Sequence, residues 1–87
     1  MGARMLTEYI DEALSRAHYE MIDDPDAPFY GEIPDLPGVW AASHTLEACR
    51  QALKDVVEGW ILLSVKRSLP IPKLGTAEIR EIESEAA

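Results

Sequence analysis

Few side chains in this sequence could do chemistry. They are one cysteine, Cys49, two histidines, His18 and His44, and three acids in and beside a Pro-rich loop, Asp23, Asp24 and Asp26. A pair of Cys49 with either histidine would make a thiolate nucleophile. Cys49 falls on the apolar stripe of a helical pattern, where a cysteine acts as a small buried hydrophobe. One Cys and two His cannot close a structural zinc site without carboxylates. Asp23, Asp24 and Asp26 could give oxygen ligands to a divalent cation, but the EF-hand spacing is missing and a solvated turn accounts for them. Ser43, His44 and Thr45 stand before a helix and could receive an anion there, or simply cap it. No Gly-rich phosphate loop occurs. The expectation is a binding protein without cofactor, metal or enzymatic activity.

The totals bound the rest. Eighty-seven residues make one small domain, marginal on its own. A composition 47% hydrophobic and 28% charged belongs to a folded globular chain. No apolar run approaches 18 residues, and the first residues lack the apolar core of a secretory signal. With a single cysteine, this places the protein in the cytoplasm and away from membranes. The net charge is −8, and residues 1–47 carry all of it, ten acids standing against Arg4 and Arg16. That balance disfavours direct nucleic-acid binding, which needs a basic footprint. It suits a basic protein partner. Asn is absent and Gln51 is the sole Gln, the amide scarcity found in proteins of thermophiles.

The stretch from Tyr30 to Ala42 organises the chain. Two short apolar runs, 29–33 and 39–43, read as strands, and Pro34-Asp35-Leu36-Pro37-Gly38 between them is turn chemistry. Gly38 can take positive φ, and Leu36 between the prolines is expected to tuck toward the core. Residues 17–23 alternate as a further strand, joined to the next by the loop 24–28. Short links make a three-stranded antiparallel meander the simplest connection. Before it, Leu6, Tyr9, Ile10, Ala13, Leu14 and Ala17 recur at helical steps, giving a helix over 4–15 with a Glu12–Arg16 pair. After it, Thr45 caps a helix over 45–67, with a core stripe of Leu46, Cys49, Leu53, Val56, Trp60 and Leu63. The second half of that helix is apolar on nearly its whole circumference. It must therefore meet the first helix or a second subunit, with Val57, Trp60, Ile61, Leu62 and Val65 as the candidate self-association residues. Leu69-Pro-Ile-Pro72 ends it, and a last short strand is expected near 76–82.

From about Ala17 to Leu74 the order and spacing of these elements resemble the HicB antitoxin domain. The resemblance rests on Tyr30, the turn Ile33-Pro-Asp-Leu-Pro-Gly38, the helix start Thr45-Leu-Glu-Ala48 and the Pro-rich exit. Ala48 stands where that family commonly has Glu, and no DNA-binding domain follows. The resemblance implies an α+β fold of partial ribonuclease H type. Three or four antiparallel strands pack with one long helix in the order β-β-β-α-β, after an N-terminal helix. The expected division is 1–16 as helical extension, 17–83 as the HicB-like domain and 84–87 as a frayed tail. The first strand offers only Glu20 near its middle, which is too little for a ribonuclease H metal site.

The implied function is an antitoxin that neutralises a small, basic, mRNA-cleaving toxin of the HicA type by covering its RNA-binding surface. A stand-alone oligomeric scaffold is the other reading. The candidate partner-binding residues are Glu32, Asp35 and Trp40 near the turn, with Asp23, Asp24 and Asp26 as a second acidic element. A homo-oligomer that does not touch DNA by itself completes the expectation.

Overall fold

The computed structural model describes residues 2–78. Helix α1 (Gly2–Ser15) leads into β1 (His18–Met21), β2 (Phe29–Glu32) and β3 (Trp40–Ser43), and α2 (Leu46–Lys66) closes the order. The α+β fold expected from the sequence is the fold observed: two helices and a three-stranded antiparallel sheet in the order β1-β2-β3. The register aligns Tyr19 with Gly31 and Gly31 with Ala41. Alternation puts those three on the inner face, under α2. The neighbouring rows, His18–Glu32–Trp40 and Glu20–Tyr30–Ala42, face away from the helix. Gly31 is required by a close approach. A Cβ there would lie 2.8 Å from two atoms of the Tyr19 ring, which crosses over it.

The β2–β3 connection is a pair of consecutive turns. The Leu36 N–H donates to the Ile33 carbonyl at 2.9 Å, and the Val39 N–H donates to the Leu36 carbonyl at 3.1 Å. In the second turn Pro37 is followed by Gly38 at φ +88°, the type II arrangement. Leu36 is fully buried, as its place between the prolines led one to expect, while Pro34, Asp35, Pro37 and Gly38 stay exposed.

Helix α2 begins where the sequence put it. Thr45 is extended, and its Oγ1 accepts from the Ala48 N–H at 3.0 Å. The far end is a Schellman closure: Leu69 N–H donates to Ser64 at 2.8 Å and Ser68 N–H to Val65 at 3.2 Å, with Ser68 at φ 56°. The buried stripe corrects the sequence reading. It consists of Cys49, Leu53, Val57, Ile61 and Ser64, whereas Leu46 and Leu63 are about half exposed. Val56 and Trp60 pack only at the rim of the core. Two apolar stripes compete in the second half of this helix. The one stepping by four residues wins because α1 and the sheet together meet that side. Its Tyr9, Ile10, Ala13 and Leu14 are buried in the same core, so α1 is part of the central packing.

Beyond α2 the chain returns over α1. Leu74 is buried, and it forms an isolated bridge with Ala77 across a tight turn. Thr76 and Ala77 therefore belong to that turn and Glu78 is not in a strand, against the strand expected over 76–82; residues 79–82 and the tail 84–87 lie outside the described residues. The Tyr9 hydroxyl donates to the Pro72 carbonyl and ties the exit segment to α1. The pKa of this hydroxyl is pushed up from 10.0 to about 12, chiefly by burial, with the Asp35 charge adding to the rise and the Arg16 charge opposing it. The fold holds the neutral phenol. Its contribution to stability is complete below pH 10 and is lost as the pH rises to about 12, because the unfolded chain releases this proton first. Tyr9→Phe is expected to flatten part of the stability loss across that window in thermal melts. An unchanged slope would contradict the assignment.

Candidate functional site

The outward face of the sheet is the candidate site. The cross-strand neighbours Glu32 and Trp40 sit side by side on it, next to the organising turn. Trp40 is 55% exposed, although tryptophan is a residue type that folding normally covers. Its ring stacks on Tyr30, with centroids 5.9 Å apart and planes 27° apart. The Tyr30 hydroxyl donates to Glu32 Oε1 at 2.9 Å. That hydrogen bond raises the Tyr30 pKa, helped by burial and by the charges of Glu32 and Glu20. Glu20 is the cross-strand neighbour of Tyr30, and His18 that of Glu32. The face thus offers a rigid aromatic pair held by strand pairing, edged by two carboxylates. Such a surface can dock on a cationic, partly apolar surface without rearrangement.

The other partner-binding candidates are not gathered here. Asp35 turns toward α1, where its Oδ2 accepts from Arg16 Nη1 at 3.1 Å. Arg16 also holds Glu12, at 2.9 Å, in the expected i,i+4 pair. Asp35 is therefore a fold contact between the turn and α1. Asp23, Asp24 and Asp26 are exposed in the β1–β2 loop, at the opposite end of the sheet from the turn. Asp24 shapes that loop, its Oδ1 accepting from the N–H groups of Asp26 at 3.0 Å and Ala27 at 3.4 Å. Among the described residues no group of three or more His, Cys, Asp and Glu is placed to hold a metal ion.

Of the self-association candidates, Val57 and Ile61 are corrected: they are buried at 0% and 2% exposure in the chain's own core. Trp60 packs partly against that core. Leu62 and Val65 are exposed, at 65% and 55%. Cys49 lies beneath the inner face, its Sγ directed at the Ala41 carbonyl 3.6 Å away, and burial raises its pKa. His18 stands on the other face of the sheet, so the two form no dyad. The Tyr19 hydroxyl is buried and, among the described residues, has no partner at full hydrogen-bond geometry; burial raises its pKa, and the nearby Arg50 guanidinium opposes this. Tyr30, Glu20 and His18 belong to the outward face and are absent from the sequence-derived set. Strict alternation counted from Trp40 and Glu32 would have found them.

The chain belongs to the UPF0150-like family, whose model matches residues 8–72. It is also similar to the crystal structure of TTHA0281 from Thermus thermophilus. The two share 47% identity over 86% of this chain and 97% of that one, with a TM-score of 0.81. No curated protein matches the chain. Among the described residues no helix is long and apolar enough to cross a membrane.

Proposed function

We propose that this protein is a HicB-like antitoxin module. It neutralises a small basic mRNA-cleaving partner of the HicA type by covering that partner's RNA-binding surface. The observation that carries this reading is the exposed Trp40–Tyr30 pair, edged by Glu32 and Glu20, on an acidic chain. An aromatic anchor supplies affinity, and the carboxylates compete with phosphates for the partner's cations. Family membership and the turn motif support the same reading. The chain itself performs no catalysis and needs no cofactor in this mechanism, and with its net charge of −8 it does not bind DNA alone.

The experiment is co-purification of this protein with the product of the adjacent reading frame. A small basic partner is expected to stay bound at low salt, with association slowing as salt screens the charges. If no complex forms at micromolar concentration, the antitoxin reading fails. The fold would then serve as a scaffold, the role to which the exposed apolar residues of α2 would belong.

A further inference from the structure

The two long edges of the sheet are not alike. The Ile33 N–H donates to the Val39 carbonyl at 3.1 Å, and the Ile22 N–H to the Pro28 carbonyl at 2.7 Å. In an antiparallel pair such bonded positions recur at every second residue. With the observed register, Ala41 and Ser43 then bond to β2, and the peptide groups of Trp40 and Ala42 point away from it. At the other edge those of Tyr19 and Met21 point outward. Among the described residues β2 is the only strand beside β3, and no backbone bond reaches Trp40 or Ala42 from elsewhere. Proteins normally blunt such an edge with charge or proline. The first strand follows that rule: His18-Tyr-Glu-Met21 carries Glu20 and runs into Asp23 and Asp24. The third, Trp40-Ala-Ala-Ser43, carries neither charge nor proline.

We propose that this open edge of β3 takes an extended segment of the basic partner as an added strand of the sheet, an inference that rests on the antitoxin reading above. Trp40 and Ala42 each offer an N–H donor and a carbonyl acceptor, spaced for a strand and left unmatched by a helix or a flat apolar surface. Trp40 already belongs to the outward face, so the added strand continues that surface and covers indole area that the chain leaves exposed. Ala42 is small and leaves room beside it for a large side chain of the partner. A lysine or arginine in the row of Trp40 can lay its stem along the ring and reach toward Glu32, the next residue in that row. Charge selects this occupant over a second copy of the chain. Two chains of net charge −8 repel each other, whereas a basic segment is attracted.

The test is binding of the product of the adjacent reading frame to edge variants, by calorimetric titration beside thermal melts. Ala42→Pro removes an outward N–H and puts a ring in its place, leaving the bonds to β2 intact. It is expected to keep the fold and to weaken binding about tenfold or more. Met21→Pro, which blocks the opposite edge, should bind like wild type. Hydrogen exchange of the wild-type chain gives a second readout that needs no variant. The Trp40 and Ala42 amides should slow about tenfold or more in the complex, and the Tyr19 and Met21 amides should not. Binding unchanged in a folded Ala42→Pro, or β3 edge amides that exchange as fast in the complex as in the free chain, overturns the proposal and leaves the antitoxin reading standing. No complex with the wild-type chain overturns both. Protection of the same amides in the free chain, growing with its concentration, assigns the edge to a second copy and also overturns the proposal.

Discussion

Leu36→Ala is expected to cost about 2–5 kcal/mol of stability, the range for removing a fully buried leucine. For a domain of this size that corresponds to a fall in Tm on the order of 10–30 °C. The residue lies at the tip of a connection between strands, where substitutions are usually tolerated. Here the connection folds back on itself. Two successive hydrogen-bonded turns place Leu36 at 0% exposure, in the same cluster as Ile33, Val39 and Tyr9. The prolines and Gly38 around it set the backbone, and their own side chains or surfaces face water. Pro37→Ala should therefore cost less, about 1 kcal/mol or under, acting mainly through the unfolded chain. Thermal or denaturant unfolding of the two variants checks the contrast. A Leu36→Ala melt within a few degrees of wild type would show that the turn is not a core element.

Trp40→Ala is expected to do the reverse. It should leave the melt nearly unchanged and weaken partner binding by about 30-fold or more, the loss typical of a central aromatic anchor. Trp40 is more than half exposed, so its removal opens no cavity in the core. What it removes is the stacked partner of Tyr30 and the largest apolar surface on the outward face. Glu32→Gln should have a smaller effect, concentrated in the association rate and its salt dependence. The Tyr30 hydroxyl can still donate to the amide oxygen, so the local geometry is retained. Calorimetric titration with the basic partner, beside a thermal melt, separates the two outcomes. A large fall in Tm for Trp40→Ala would move the residue from binding to folding.

Much of this fold was legible in the sequence because its signals are local. Thr45 was recognisable as a cap because a hydroxyl before a periodic run has one obvious use, and it accepts from Ala48 as expected. The turn was legible from Pro37-Gly38 and the flanking alternation, and the fate of Leu36 followed from its place between two prolines. The stripe of α2 was misjudged because its second half offers two apolar faces. Periodicity cannot choose between them; packing by α1 and the sheet does. The intrachain contact of Asp35 was out of reach for a similar reason. Its proximity to the turn was local, but its ion pair with Arg16 spans 19 positions and depends on how α1 docks. The acids of the β1–β2 loop were named as a second acidic element apart from Glu32, and strand direction places them at the other end of the sheet. The outward face was only half found, since Trp40 and Glu32 were chosen by type and Tyr30 and Glu20 emerge from register.

The most direct measurement is RNA cleavage by the product of the adjacent reading frame, with wild-type chain or the Trp40→Ala variant added at equal concentration. Wild-type chain is predicted to suppress cleavage. Trp40→Ala, folded to the same Tm, is predicted to leave most of it intact. Equal suppression by both would remove the outward sheet face from the mechanism. Cleavage untouched by either would contradict the antitoxin reading itself.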